Sequence, residues 1–191
     1  MWSGSFGDSY IDRNRSAGRT WGEFWTEFLR SYPVSSVLEV GSSIGLNLDW
    51  IVSAVPGPVV GVDISPTALA EMQRRLPSVQ AVLASARDLP LPSGSFDLVF
   101  TATVLIHQPP GALEEVMREV VRCSRRYVLC IEYFAPTFTE VPYRGQPGSL
   151  FKLDFGAKYQ ELFPTLRQIF RRDLPREIFD EERTAWLFEL S

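Results

Sequence analysis

Residue types that often build special sites are scarce in this chain of 191 residues. It contains two cysteines, one histidine and two lysines. The cysteines, Cys123 and Cys130, are too few for a disulfide framework or a four-ligand zinc site. No cluster of histidines, cysteines and acids has the spacing of metal ligands, so we expect a reduced protein without a metal.

Basic charge and long apolar runs are also missing. The formal net charge is −4, whereas domains that bind nucleic acids are usually basic. No apolar run approaches the ~18 residues of a membrane helix. Residues 1–8 contain neither a positive region nor an apolar one, so no signal peptide is predicted. We expect a cytoplasmic protein that binds neither nucleic acid nor membranes.

What the sequence does contain is an alternation of strand and helix patterns. It predicts an α/β fold, a single Rossmann-like domain with a mostly parallel seven-stranded sheet and helices on both faces. The last hairpin, 165–190, should supply an antiparallel strand, and 134–150 should be a long loop. The expected strands are 37–40, 59–63, 79–84, 96–101, 127–132, 166–171 and 185–190. The expected helices are one that ends before Pro33, then 46–55, 66–76, 111–122 and 154–163.

Ligands of such sheets bind at the carboxyl ends of the strands. Useful side chains should therefore lie just after strands one to five, at Gly41–Gly45, Asp63, Ser85, Thr101–His107 and Glu132–Tyr133.

The strongest local pattern lies at the first junction between strand and helix. Glu39 is inside the strand, Gly41 and Gly45 flank the turn, and Asp63 ends the second strand. A glycine turn lets a ligand approach the backbone, and the start of the helix offers N–H groups. An acid at the end of the second strand can accept hydrogen bonds from both ribose hydroxyls. This pattern predicts a nucleoside ligand.

Two residues favour one kind of nucleoside. A dinucleotide site follows G-x-G-x-x-G, but the residues at 41, 43 and 45 are glycine, serine and glycine. Glu39 would repel a phosphate and attract an ammonium group. S-adenosylmethionine (SAM) has an ammonium group, a ribose diol and an adenine, and it has no phosphate. SAM is therefore the expected cofactor.

The pattern E-x-G-x-x-x-G, the acid at 63 and the segment Asp88–Val99 resemble the class I SAM-dependent methyltransferases over residues 35–132. A closer resemblance, which covers nearly the whole chain, is to the methylases associated with pseudaminic acid biosynthesis. It rests on the segments Phe6–Asn14, Ile44–Asn47, Val104–His107, Glu132–Thr137, Val141–Gly145 and Leu150–Phe155.

The resemblance implies a set of cofactor-binding residues and two departures from the expected pattern. Ser85 stands where many class I enzymes have an aspartate that accepts a hydrogen bond from the adenine amino group, and Gln146 stands where we expect a histidine. A serine hydroxyl can still accept, although without charge assistance, and the backbone of Ala86 can contact the ring nitrogen. The expected cofactor-binding residues are Glu39, Gly41, Ser43, Gly45, Asn47, Asp63, Ile64, Ser85, Ala86 and Thr101.

His107 is the candidate catalytic residue. It follows the fourth strand, where class I enzymes place residues beside the transferring methyl group, and it would need little tuning to act as a general base. The alternative is a structural histidine beside Pro109 and Pro110. The candidate acceptor-binding residues are Tyr10, Arg13, Asn14, Tyr133, Tyr143, Arg144 and Lys152, for which a solvated surface is the alternative.

The sequence therefore predicts a SAM-dependent methyltransferase that acts on an oxygen or nitrogen of a small polar, anionic metabolite. A sugar acid, a nucleotide-linked sugar or a natural-product intermediate would fit. The single domain would comprise an N-terminal lid and helix (1–33), a SAM-binding core (34–133), a substrate loop and helix (134–164) and a C-terminal hairpin (165–191). A SAM-binding domain without transferase activity and an NAD(P)-dependent oxidoreductase are alternatives, and the acceptor and oligomeric state stay open.

Overall fold

Helices and strands alternate along the chain. The structure, a computed structural model, describes residues 21–143, 148–176 and 182–190. The helices are α1 (Trp21–Ser31), α2 (Leu48–Ile51), α3 (Pro66–Arg75), α4 (Pro110–Cys123) and α5 (Phe155–Leu162), with a 3-10 turn at Leu105–His107. The strands are β1 (Val37–Val40), β2 (Val59–Asp63), β3 (Gln80–Leu83), β4 (Phe96–Ala102), β5 (Ser124–Glu132), β6 (Thr139–Glu140), β7 (Phe151–Lys152), β8 (Arg167–Leu174) and β9 (Arg183–Glu189).

Seven strands form one sheet in the order β3-β2-β1-β4-β5-β9-β8. The first five in this order run parallel, and β9 runs antiparallel to both β5 and β8. This confirms the predicted α/β class and the antiparallel strand from the last hairpin. Because β1 has β2 on one side and β4 on the other, the strand order reverses there, and the crevice at the carboxyl ends is the expected ligand site.

Apolar side chains on both faces of the sheet hold the helices in place. All four residues of β1 are buried, as expected of a parallel strand that is covered on both sides. On one face, α1 buries Trp21, Phe24, Trp25 and Phe28. The ring centre of Trp25 lies 4.9 Å from that of Phe100 in β4. On the other face, apolar residues of α4 and α5 pack against β4, β5 and β9.

Two sequence expectations about local structure are wrong in extent. The helix predicted over 46–55 is limited to α2. In this segment, Asp49 and Val55 donate to the fourth preceding carbonyl, whereas Trp50 and Ala54 donate to the third. Bonds to the third preceding residue form tighter turns than an α-helix. The region 134–150 is also not wholly irregular, since β6 pairs with β7 in a second, two-stranded sheet.

No helix in the described part of the chain is long and apolar enough to cross a membrane.

Candidate functional site

The turn after β1 is fixed by positive backbone angles and by close packing. Gly41 and Gly45 have φ values of +78° and +76°, and Ser43 has a φ of +48°. A Cβ atom at Gly45 would lie 2.7 Å from Cγ of Met72 in α3, so no side chain fits there without a shift. The N–H groups of Gly41 and Ser42 both donate to the carbonyl of Val62. The turn is therefore held against the end of β2.

Asp63 lies at this end of β2, and its carboxylate faces the turn. Its two oxygens accept hydrogen bonds of 2.8 Å from the N–H groups of Ser43 and Ser65. Burial raises the pKa of Asp63, and these backbone bonds oppose the rise. Each carboxylate oxygen can accept more than one hydrogen bond, so the contacts leave capacity for a ligand. The next residue, Ile64, is 46% exposed and offers an apolar surface.

Glu39 is a buried acid of which one carboxylate oxygen accepts a hydrogen bond. Its Oε1 accepts a 2.7 Å hydrogen bond from the Asn47 amide, which in turn accepts a bond from the Trp25 indole N–H. Its Oε2 is buried and has no hydrogen-bond partner among the described residues. Burial, together with repulsion from Asp63, raises the pKa of Glu39 to about 8 although the Asn47 bond lowers it. A cationic group at Oε2 would relieve this desolvation.

The remaining cofactor candidates lie after β3 and in β4. Ser85 is half-buried, and its hydroxyl accepts a 3.3 Å hydrogen bond from the N–H of Arg87. Ala86 is partly buried against the core. Thr101 is fully buried, and its hydroxyl lies towards Cys130 and Glu132. The role of these three residues stays a prediction.

The turn after β4 is held by a second buried acid. Glu132, at the end of β5, accepts hydrogen bonds from the N–H groups of Val104 and Leu105 at 3.1 Å and of Ile106 at 3.3 Å. Burial raises the pKa of Glu132 to about 7, although these bonds lower it. Just before the turn, Thr103 has a φ of +57°, which is strained for a β-branched residue. The sequence placed Glu132 at this edge without giving it a role.

His107 ends that turn. Its Nδ1 lies 2.7 Å from the carbonyl oxygen of Ser149, and its ring centre lies 5.2 Å from that of Tyr143. Burial lowers the pKa of His107. The structure therefore brings two predicted residues, His107 and Tyr143, together at the ends of β4 and β6–β7.

Tyr133 and Lys152 also come together at this edge. Lys152 Nζ lies 5.2 Å from the centre of the Tyr133 ring. Arg183, which starts β9, places its guanidinium carbon 5.8 Å from the same ring and 5.5 Å from a ring of Trp21. Sequence reasoning missed Arg183, because only the insertion of β9 beside β5 brings it here. The other acceptor candidates, Tyr10, Arg13, Asn14 and Arg144, and the departure at Gln146 lie outside the described residues.

Known proteins match this arrangement. Residues 37–126 match the family described as "Methyltransferase domain". A probable S-adenosylmethionine-dependent methyltransferase of Mycobacterium tuberculosis is 35% identical over 89 residues, which are 47% of this chain and 30% of that protein. The match thus spans about a third of that curated relative's length.

The fold is also found in a solved structure, that of the 1,6-didemethyltoxoflavin-N1-methyltransferase of Burkholderia thailandensis with bound 1,6-didemethyltoxoflavin and S-adenosylhomocysteine. The TM-score is 0.76 at 17% identity, over 97% of this chain and 85% of that one. Residues 37–126 are thus similar to the methyltransferase domains of known proteins, among them a probable SAM-dependent enzyme. The fold of this chain is the Rossmann-like fold of class I methyltransferases, as the sequence predicted.

A further relative of this chain is named for a different activity. A guanylate kinase of Granulibacter bethesdensis is 32% identical over 120 residues, 54% of each chain. The phosphate-binding loop of many nucleotide kinases needs a lysine directly after glycine in G-x-x-x-x-G-K-[ST]. Lys152 follows a phenylalanine and Lys158 follows an alanine, so this chain has no such loop.

The residues around the β1 turn fit SAM. The unpartnered Oε2 of Glu39 suits an ammonium group, Asp63 suits a ribose diol, and the exposed Ile64 suits an adenine face. Within the described ranges, no group of three or more histidines, cysteines and acids could hold a metal ion.

Proposed function

We propose that this protein transfers the methyl group of SAM to an oxygen or nitrogen atom of a small, polar, anionic metabolite. The observation that carries the proposal is the unpartnered, buried Oε2 of Glu39 beside the turn and Asp63. A buried carboxylate is costly unless a cation pairs with it. The ammonium group of SAM supplies that cation, whereas the phosphates of a dinucleotide would be repelled.

In this proposal, residues of β1 and β2 bind the cofactor, and residues at the ends of β4 and β5 bind the acceptor. The sulfonium of bound SAM supplies an electrophilic methyl group, so the protein mainly binds and orients the reactants. Glu39 pairs with the ammonium group, Asp63 accepts from the ribose hydroxyls, and Ile64 covers the adenine. The carboxyl ends of β4 and β5 then remain for the acceptor.

His107 is the proposed base that takes the acceptor's proton. Because Nδ1 faces a carbonyl oxygen, it carries the donated hydrogen, and Nε2 is the basic nitrogen. Burial lowers the pKa of His107, so the imidazole is neutral at pH 7 and can accept a proton. If the acceptor atom is a carboxylate oxygen, no base is needed and His107 orients the acceptor.

The cations around Tyr133 favour an anionic acceptor. Lys152 and Arg183 lie against one ring, and no described carboxylate forms an ion pair with Lys152. Their positive charge at this edge of the sheet would favour an acceptor with a negative charge. Sugar acids, nucleotide-linked sugars and natural-product carboxylates carry such a charge. The resemblance to the pseudaminic acid-associated methylases supports a sugar acid.

Calorimetry with SAM and S-adenosylhomocysteine tests the cofactor assignment. We expect micromolar-range binding, about −8 kcal/mol at 1 μM, and a loss of about 1.5–3 kcal/mol in Asp63→Ala. Asp173→Ala, which removes an exposed acid of β8, is the matched control and should bind normally. Binding of NADH without binding of SAM would overturn the proposal. Binding of SAM with no S-adenosylhomocysteine formed against a broad acceptor panel would leave a binding domain without transferase activity.

The two lysines provide a separate test of the anionic acceptor. Labelling lysine with carbon-13 at Cε gives two signals, and Lys158 serves as an internal control because it is paired with Glu114 at 2.9 Å and Glu161 at 3.0 Å. Added benzoate should shift the Lys152 signal much more than the Lys158 signal, and Arg183→Gln should weaken that shift. Equal shifts of both lysines, as sodium chloride would produce, would contradict the anionic acceptor and leave the SAM assignment intact.

A further inference from the structure

Glu132 makes contacts that its place in a buried strand does not require. It is fully buried in the sheet, and its carboxylate accepts three hydrogen bonds from the consecutive N–H groups of Val104, Leu105 and Ile106. These groups lie 26 to 28 residues away in sequence. One side chain therefore holds the backbone of a whole turn.

Both ends of that turn lie against the functional site. At its start, the Val104 side chain fills the space above Gly41, so that a Cβ atom on Gly41 would overlap it. At its end, His107 bonds to the carbonyl of Ser149 beside β7. The turn thus contacts the cofactor half of the site through Val104 and the acceptor half through His107.

We propose that Glu132 is a positioning residue for both halves of the site. Its ionised carboxylate holds Val104 against the cofactor turn and His107 at the acceptor edge. The naming of these halves rests on the proposed function, but the contacts of Glu132 do not depend on it.

Backbone strain explains why so strong an anchor is needed. A left-handed conformation is unfavourable for a β-branched residue such as Thr103 and persists only where the surrounding structure enforces it. Hydrogen bonds to a charged acceptor are roughly twice as strong as neutral ones. The three bonds to Glu132 follow directly after Thr103 and can compensate for its strain.

The anchor depends on the charge state of Glu132. A protonated carboxyl carries a hydrogen on one oxygen and can no longer accept three N–H bonds well. The titratable groups that face it are Cys130 on β5 and Tyr159 on α5, and His107 ends the turn that Glu132 holds. Burial raises the pKa values of Cys130 and Tyr159 and lowers that of His107, so all three are neutral near pH 7. Asp154, which caps α5, faces Cys130.

Nuclear magnetic resonance of the ligand-free protein from pH 5 to 9 tests this inference. The amide signals of Val104, Leu105 and Ile106 and the Cδ signal of Glu132 should shift together, with one midpoint near the Glu132 pKa of about 7. The single imidazole in the chain, that of His107, should report the same transition in addition to its own.

Three variants assign the transition to Glu132. It should disappear from the amides and from the imidazole in Glu132→Gln, and it should persist unchanged in Glu115→Gln, which neutralises an exposed glutamate of α4. It should also persist at the amides in His107→Gln, which removes the imidazole as its source.

Amide signals that stay flat across this pH range, or a transition that survives in Glu132→Gln, would overturn the inference. If Glu132→Gln does not fold, the Cδ titration of wild type and of His107→Gln decides instead. Because no SAM or acceptor is added, the result is independent of whether the proposed function holds.

Discussion

The two buried glutamates of the sheet have opposite surroundings. Glu39 in β1 accepts one hydrogen bond from Asn47, and its Oε2 has no partner in the part of the chain that the structure describes. Glu132 in β5 uses both oxygens to accept three backbone hydrogen bonds. Burial raises both pKa values, to about 8 for Glu39 and about 7 for Glu132. The difference follows from the number of donors that each carboxylate finds within the chain.

This contrast distinguishes a glutamate that can bind a ligand from a glutamate that stabilises the fold. An acid whose hydrogen bonds are satisfied by its own chain stabilises the local backbone, and replacing it leaves buried N–H groups unpaired. An acid with an unpartnered oxygen is destabilising until a ligand pairs with it. The two residues should therefore respond in opposite ways to the same substitution.

The largest expected effect is on stability in Glu132→Ala. The change leaves three N–H groups without their acceptor, and each unsatisfied buried group costs about 1–3 kcal/mol. Because the turn can relax, we expect the free energy of unfolding to fall by about 3 kcal/mol in urea denaturation. Glu39→Ala removes one hydrogen bond and one unpartnered oxygen, so it should cost clearly less. Equal losses in the two variants would break the contrast.

The second effect is on SAM affinity in Glu39→Gln. The amide keeps the size of the side chain but cannot pair with an ammonium group, so calorimetry at pH 8 should show a loss of about 1.5–3 kcal/mol. That corresponds to roughly 10- to 150-fold weaker binding. In the same variant, the free energy of unfolding without ligand should be unchanged or higher. Full SAM affinity in Glu39→Gln would remove the ammonium assignment.

The smallest effect, taken per pH unit, is the pH dependence of stability. A carboxyl whose pKa is raised on folding binds more protons in the folded state, so its contribution is present below the unfolded pKa and is lost as the pH rises through the folded value. For Glu39 this window runs from its ordinary pKa of 4.5 to about 8. The free energy of unfolding should fall across it by up to about 1.4 kcal/mol per pH unit for one proton.

The difference between wild type and Glu39→Gln isolates this contribution, because the other titrating groups are common to both proteins. The slope for Glu39→Gln should be shallower between pH 5 and 8. Parallel curves for the two proteins would show that the Glu39 carboxyl keeps its ordinary pKa in the folded state.

Local patterns predicted the local structure around the first half of the candidate site. The turn at Gly41–Gly45 and the acid Asp63 are adjacent to strand patterns, and the backbone angles and hydrogen bonds of the structure follow from that placement. Alternating strands and helices permit few topologies, which narrows the strand orders that a sequence of this kind can adopt.

The second half depends on pairings that no local pattern encodes. Glu132 bonds to the N–H of Val104, which lies 28 residues earlier in the sequence. Arg183 contacts Trp21 because the sheet brings β9 close to it. The sequence did contain a signal for Glu132, because it is a single acid at the end of the apolar run of β5. For Arg183 the sequence held no comparable signal, since it required knowing that β9 lies beside β5.

The position of β9 between β5 and β8 sets an order of events for a nascent chain. β8 is made first, yet it has no neighbour in the sheet until β9 has emerged from the ribosome. Arg183, the first residue of β9, reaches Tyr133 only after that insertion. The parallel half can form earlier, since domains fold from the N-terminal side during synthesis. A chain stalled before β9 should therefore acquire the turn of Gly41 and Asp63 while it still lacks Arg183 beside Tyr133, at the proposed acceptor site.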